Sequence, residues 1–165
     1  DVLNSFDKLT YQNWIVWSYD WGGRTKKTFA RKHEDLLMYS KGEEFLFNAD
    51  DIRIPYIMKQ SVRKGVELNS KGKITTDVWQ KNNHTTSKEY CGWHPTQKPL
   101  ELLERIIKAN TNEGDVVLDL FSGSGSTAVA TTNTRRKFMG CELDKEYYEK
   151  SLKRIDDLVG ILKFT

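Results

Sequence analysis

The sequence predicts an α/β fold built around a βαβ unit, and three observations predict it. A run at residues 116–121 that is apolar except for Asp119 is typical of a short buried strand. Gly123 and Gly125 follow, and their spacing to the next small residue matches the G-x-G-x-x-G/A pattern of a turn that binds a nucleotide-like cofactor. A second apolar run at 138–141 predicts a parallel neighbouring strand, which makes the expected fold Rossmann-like.

An acidic residue ends the second run. Glu142 lies 19 residues after Gly123, near the offset at which a βαβ unit places the carboxylate that accepts ribose hydroxyls. The alternative is a carboxylate that caps the next helix, and Asp144 is better placed for that role. We therefore expect Glu142 to be a cofactor ligand.

The charge of Asp119 favours one class of cofactor over another. A nicotinamide dinucleotide would bring a doubly negative pyrophosphate to this turn, whereas S-adenosylmethionine carries a cationic sulfonium and an ammonium group. At an effective dielectric constant near 20, a charge pair about 4 Å apart is worth roughly 4 kcal/mol. The sequence therefore favours the methyl donor, and an Asp that bonds only to backbone amides is the alternative.

The N-terminal region, residues 1–58, predicts two strands of the same fold. Strand-forming residues at 14–17 and 36–39 are separated by a stretch rich in glycine and basic residues, which suits a long hairpin connection. Trp17 and Tyr19 occupy alternate positions, so in a strand their side chains share one side.

A basic, loop-rich segment is predicted at residues 59–93. Between residues 59 and 98 there are eight Lys and Arg residues against three acidic residues, with little periodicity. Five further cations cluster in the hairpin connection: Arg24, Lys26, Lys27, Arg31 and Lys32. Clustered cations gain affinity for duplex DNA by releasing counterions. A solvated surface without a ligand is the alternative interpretation.

Regular structure is predicted again in residues 94–165. Pro99 suits the first position of a helix whose expected apolar face contains Leu100, Leu103, Ile106 and Ile107. A charged amphipathic helix is predicted after Glu142, running to about Ile155. Its expected buried residues are Tyr148, Leu152 and Ile155, and we expect Cys141 to be a thiol of the core.

Length and composition limit the classes of protein to which the chain can belong. With 165 residues, of which 38% are apolar, the chain can form one domain with a core. It has no run of 18 apolar residues and no signal-peptide pattern, so an intracellular protein without a membrane span is expected. Two cysteines and three histidines are too few for a disulfide framework or a convincing metal cluster.

Three motifs in a fixed order resemble one enzyme family. The sequence HPTQKP at residues 94–99, the glycine turn at 119–127 and GCELD at 140–144 are similar to the cofactor half of the DNA amino-methyltransferases. These bacterial and phage enzymes methylate adenine N6 or cytosine N4, and in their beta group the HPxxKP element directly precedes the glycine motif. Adenine is favoured because HPTQKP and residues 31–35 most resemble beta-group adenine enzymes.

The resemblance implies a cytoplasmic protein with S-adenosylmethionine as its cofactor and double-stranded DNA as its partner. It also implies a set of cofactor-binding residues: His94, Pro95, Thr96, Lys98, Asp119, Phe121, Gly123, Ser124, Gly125, Ser126, Thr127, Glu142 and Leu143. By analogy, the irregular segment at 59–93 would recognise the target sequence. Methylating a base requires flipping it out of the duplex, and Trp17 or Tyr19 would stack on it. Packing in the core is the alternative interpretation, above all for Trp17.

One motif of the family is absent. Its enzymes orient the acceptor amine with a D/N/S-P-P-Y/F/W tetrapeptide, but this chain has only Pro55, Pro95 and Pro99 and therefore no Pro-Pro pair. Residues 53–56 do not replace it, because Arg53 stands where an acceptor is required. No catalytic residue is therefore assigned in this chain. We expect a Rossmann-like methyltransferase fold that lacks its central strands.

Such a chain would need a complementing segment or a second chain for catalysis. The complement could be a missing N-terminal segment, since the sequence starts at Asp1 rather than Met, a partner chain, or a swapped oligomer. Two other classes remain open. One is a nucleotide-dependent oxidoreductase, which Asp119 and HPTQKP disfavour. The other is a non-catalytic cofactor- or DNA-binding subunit that regulates a partner.

Overall fold

The chain divides into two compact units. A computed structural model describes residues 8–56, 68–80 and 88–162. The first unit comprises Asp1–Asn83 and the second His84–Thr165. The boundary falls within the segment expected at 59–93, so this segment is shared between the units, and its residues 59–67 and 81–87 lie outside the described ranges.

The first unit contains a three-stranded sheet with the strand order β2-β1-β3. Strand β1 (Thr10–Ser18) pairs antiparallel with β2 (His33–Ser40), which confirms the predicted hairpin. Strand β3 (Val78–Gln80) pairs in parallel with the other edge of β1. The core of this unit is formed by Ile15, Trp17, Ile52 and Trp79, of which Ile52 ends a short 3-10 helix, Ala49–Ile52.

The second unit contains the predicted βαβ unit. Strand β4 (Val116–Asp119) and strand β5 (Lys137–Gly140) pair in parallel, with Leu118 opposite Met139. Helix α2 (Ser126–Asn133) connects them, and its residues Ala128 to Thr131 are almost completely buried. Small side chains suit this helix because it packs closely on its neighbours.

Helix α1 (Leu100–Asn110) precedes β4 and packs on α2. Pro99 is the N-cap residue rather than the first helical residue. The helix buries Leu102, Ile107 and Ala109, so only Ile107 of the predicted face is fully buried. The prediction was based on large apolar side chains, whereas the face that the helix buries includes the small residue Ala109.

Helix α3 (Lys145–Leu162) is longer than predicted and presents a different face. Tyr148 and Leu152 are 47% and 44% exposed, which makes the prediction of their burial wrong. Ser151 is buried instead, next to Gly125. Cys141 is exposed rather than part of the core, and its thiol donates a hydrogen bond to the carbonyl of Leu120.

The sheet of the second unit leaves apolar side chains in solvent. Val116 and Leu118 of β4 are each 57% exposed, and Met139 of β5 is 60% exposed. Among the described residues, β4 has a strand partner on one edge only. In the same ranges, no helix combines the length and the hydrophobicity that a membrane span needs.

Candidate functional site

Two glycines shape the turn between β4 and α2. Gly123 has φ +49° and Gly125, the N-cap of α2, has φ +74°, values that L-residues with side chains rarely adopt. A Cβ atom on Gly123 would lie 2.8 Å from Nε2 of His94. One on Gly125 would lie 3.1 Å from Cβ of Ser151. The first glycine therefore lets HPTQKP approach the turn, and the second lets α3 approach it.

Asp119 organises this turn from the end of β4. Its Oδ1 accepts a hydrogen bond of 3.0 Å from the backbone N–H of Phe121, and its Oδ2 accepts one of 2.5 Å from the hydroxyl of Thr127. The side chain thus bonds both sides of the turn. A carboxylate oxygen has more than one acceptor position, so Asp119 retains capacity for a cationic ligand.

Glu142 reaches the same turn from the end of β5. Its Oε2 accepts a 2.7 Å bond from the N–H of Gly123, and its Oε1 accepts a 2.9 Å bond from the N–H of Asp144. These amides, first that of Asp144 and then that of Gly123, lower the pKa of Glu142 below its usual value. Asp144 caps α3 by accepting the N–H of Tyr147 at 2.9 Å, as predicted.

His94 lies against the turn through its imidazole ring. Its ring centroid is 4.7 Å from that of Tyr147, and its Nδ1 is buried without a hydrogen-bond partner in the structure. Burial lowers the pKa of His94, and the nearby Glu142 opposes this effect only in part. A buried nitrogen without a hydrogen-bond partner is costly.

A cleft of about 170 Å³ brings most of the predicted cofactor residues together. Its predicted lining residues are His94, Thr96, Lys98, Asp119, Phe121, Gly123, Ser124, Ser126 and Thr127. Leu103 and Ser122 also line it and were not predicted. Ser122 lies inside the glycine motif, which could have indicated it, whereas only the packing of α1 places Leu103 there.

Four predicted cofactor residues do not line this cleft. Glu142 contacts it through the N–H of Gly123, and Gly125 faces α3. Pro95 is exposed, and Leu143 is fully exposed at 100%. Roles for Pro95 and Leu143 in cofactor binding stay predictions. Among the described residues, no group of His, Cys, Asp and Glu could hold a metal ion.

The predicted DNA-binding cations lie in the connection between β1 and β2. Arg24, Lys26, Lys27 and Arg31 are exposed. Lys32 differs from them, because its Nζ donates to the carbonyls of Trp21 at 2.7 Å and Gly22 at 3.1 Å. It therefore also holds the connection together, a role that its charge alone did not indicate.

The predicted base-stacking residues belong to one aromatic cluster. The rings of Trp17, Tyr19 and Trp21 have centroids 4.5 to 5.9 Å apart, and those of Tyr19 and Trp21 are stacked. Trp17 is only 2% exposed, so it belongs to the core of the first unit. Tyr19 is partly exposed and is the more accessible of the two candidates.

The fold and the cleft define a class of protein, and comparison with known proteins agrees. The model of the N6/N4 methyltransferase family, described as DNA methylase, matches residues 1–153. The chain therefore belongs to this family of DNA methylases. The α/β class and the resemblance that the motifs predicted are both confirmed.

Individual relatives are similar over most of the chain. It is 34% identical to the type II methyltransferase M1.MboII of Moraxella bovis, over 87% of the chain and 62% of that protein. It is 36% identical to M.HpaI of Haemophilus parainfluenzae, over 90% and 46%. It is 35% identical to the DNA adenine methyltransferase YhdJ of Escherichia coli, over 90% and 53%. The chain thus spans about half the length of these curated relatives.

Solved structures show the same fold. The M1.HpyAVI–SAM complex superposes with a TM-score of 0.66 at 27% identity, over 91% of this chain and 64% of that one. The cytosine-N4-specific PvuII DNA methyltransferase superposes with a TM-score of 0.65 at 18% identity, over 88% and 54%. The second likeness concerns the fold alone.

Proposed function

We propose that the second unit binds S-adenosylmethionine and that the chain is the donor-binding part of a site-specific DNA amino-methyltransferase. The cleft between HPTQKP and the glycine turn is the observation that carries this proposal. Two of its residues fit the donor, because Asp119 offers negative charge and Gly123 permits close approach. The name of the M1.HpyAVI–SAM complex adds support.

Each group in the cleft has a role that follows from its chemistry. When bound, the donor supplies a methyl group made electrophilic by the cationic sulfur. Asp119 attracts the cationic part of the donor, and Glu142 accepts the ribose hydroxyls while it stays bonded to the turn. The lowered pKa of His94 favours its uncharged form, which adds no positive charge that would repel the sulfonium.

Duplex DNA is the proposed substrate, with adenine N6 favoured over cytosine N4 as the acceptor. The YhdJ relative is named a DNA adenine methyltransferase. This name agrees with the resemblance of HPTQKP to the same motif in adenine enzymes. Arg24, Lys26, Lys27 and Arg31 would contact phosphates. Tyr19 would stack on the flipped base, and Trp17 would support Tyr19 from the core.

Catalysis needs a segment that this chain does not contain. The Pro-Pro tetrapeptide is missing from its sequence, and in the resembling family it follows a strand beside the one that β4 represents. The exposed apolar side chains of β4 and β5 suit burial by such a segment. A cofactor- or DNA-binding subunit that regulates a partner is the second candidate, favoured by the same absence.

Calorimetric titration tests the donor site. S-adenosylmethionine is expected to bind, and Asp119→Ala and Glu142→Ala are each expected to weaken it at least about tenfold, which corresponds to about 1.4 kcal/mol. Tight binding of NAD with none of S-adenosylmethionine would contradict the proposal. Transfer of a labelled methyl group to DNA, measured with and without a segment that carries the tetrapeptide, separates the enzyme from the regulatory subunit.

A further inference from the structure

An arginine of α3 is bonded to the back of the glycine turn. One terminal nitrogen of Arg154 (Nη1) donates to the carbonyl of Ser124 at 2.8 Å and to the hydroxyl of Ser126 at 3.0 Å. Both serines are 4% exposed, and both line the proposed donor cleft. Ser124 and Ser126 also hydrogen bond to each other at 3.0 Å. Arg154 therefore contacts the residues that shape the cleft without lining the cleft itself.

The other terminal nitrogen of Arg154 (Nη2) bonds a different segment, at the carbonyl of Glu89 at 3.1 Å. That carbonyl also accepts a 2.8 Å bond from the buried side chain of Gln97, whose oxygen accepts the N–H of Cys91. The carboxylate of Glu89 accepts the N–H of Leu100 and so binds the start of α1. Gln97 belongs to HPTQKP, so the network connects this motif with the glycine turn.

Only a guanidinium suits this position. Its planar fork offers donors in two directions, whereas a lysine has a single nitrogen. Burial lowers the pKa of Arg154, but an arginine keeps its charge at neutral pH, and the three oxygens around it satisfy that charge. It joins the glycine turn to the segment that leads into HPTQKP, and both the turn and that motif line the donor cleft.

We propose that Arg154 is a positioning residue for the methyl donor, because it holds the glycine turn and the segment before α1 in one fixed arrangement. This inference rests on the proposed function of the cleft. The arrangement would be formed before the donor arrives, so the donor would not have to order the turn. Ser124 and Ser126 would transmit the effect of Arg154 to the ligand.

The first measurement is independent of the donor. Arg154→Met is expected to increase hydrogen exchange of the backbone amides at 122–127 several-fold while exchange in α1 and β4 stays close to that of the wild type. Lys153→Met is the matched control, since its residue is exposed on the same helix, and it should leave the turn unchanged. Unchanged exchange at 122–127 in Arg154→Met would overturn the proposal.

The second measurement is the affinity for S-adenosylmethionine. Arg154→Met is expected to raise Kd about tenfold or more, and Arg154→Lys to recover only part of the loss. In a double-mutant cycle, Ser126→Ala and Arg154→Met should be non-additive, because both remove the same bond. Full recovery by Arg154→Lys, or strict additivity, would refute the role of the fork. Absence of binding in the wild type would instead refute the donor site, and the exchange experiment would still decide the role of Arg154.

Discussion

At the scale of single residues, the function of a glycine depends on which atoms lie near the position that a Cβ would occupy. Gly123 and Gly114 both have positive φ, of +49° and +87°. A Cβ on Gly123 would meet His94 at 2.8 Å, whereas nothing lies within 4 Å of one on Gly114. A side chain would thus strain the backbone at both positions, and only at Gly123 would it also displace a residue of the cleft.

This pair makes a direct prediction. Gly114→Ala should lose about 1–2 kcal/mol of unfolding free energy through backbone strain and bind the donor normally. Gly123→Ala should show the same strain and also displace His94, so its Kd for S-adenosylmethionine should rise at least about tenfold. Urea unfolding and calorimetry measure the two quantities. Normal donor affinity in Gly123→Ala would show that the contact with His94 does not shape the site.

Glu142 carries a pH-dependent part of the stability. Its pKa is lowered in the folded protein, so its ionised form stabilises the fold above the usual glutamate pKa, and this contribution is lost as the pH falls through the lowered value. Glu142→Gln is therefore expected to be less stable than the wild type at pH 7, with a smaller difference at pH 3. Thermal unfolding at both values checks this, and a difference that grows at pH 3 would contradict it.

The sequence was most informative where a motif fixed both the residue type and its neighbours. Asp119 and Glu142 were predicted as cofactor ligands because one carboxylate precedes the glycine turn and the other follows it at the offset typical of a βαβ unit. Arg154 was missed, since it stands on a helix 30 residues away and bonds to backbone and hydroxyl groups that any sequence possesses. Spacing cannot indicate such a partner.

At the scale of elements, the connection between β1 and β2 depends on Lys32. Its Nζ is bonded to the carbonyls of Trp21 and Gly22, so Lys32→Met should loosen the connection and speed tryptic cleavage at residues 24–27 several-fold. Arg31→Met removes one exposed basic residue from the same connection outside residues 24–27 and is the control. Equal cleavage rates in the two variants would show that the bonds of Lys32 do not order the connection.

Elements were predicted well where their pattern was long and poorly where tertiary packing decided. The hairpin of β1 and β2 followed from two runs of strand-forming residues. Strand β3 has three residues, too few for a periodic signal, and exists because it pairs with β1. In α3 the hydrophobic pattern indicated Tyr148 and Leu152, but the residues that stand against Gly125 are Ser151, which is buried, and Ile155.

At the scale of the whole molecule, the proposed function offers one explanation for the exposed apolar side chains of β4 and β5 and for the missing tetrapeptide. Val116, Leu118 and Met139 would normally be covered in a Rossmann-like sheet. The relatives are longer than this chain, which spans 62% of M1.MboII and 46% of M.HpaI. We therefore expect a complementing segment, carrying the Pro-Pro tetrapeptide, to bind along β4.

A substitution of Val116 tests whether the complementing segment binds along β4, at a position outside the donor cleft. Val116→Asp should keep its affinity for S-adenosylmethionine, because the residue lies at the start of β4 and is 57% exposed. It should weaken binding of the complementing segment at least about tenfold, since a buried unpaired charge is costly. Val78→Asp is the matched control, at a valine that is 58% exposed in β3.

The segment to use is one encoded upstream of Asp1 or in the neighbouring reading frame that contains an acidic or amide residue before Pro-Pro-aromatic. Its addition should produce DNA methylation with the wild type and with Val78→Asp, and much less with Val116→Asp. Equal methylation by both variants would show that the segment binds elsewhere. Strong methylation by the isolated 165 residues would refute the need for any complement, and the acceptor amine would then have to be oriented by residues of this chain.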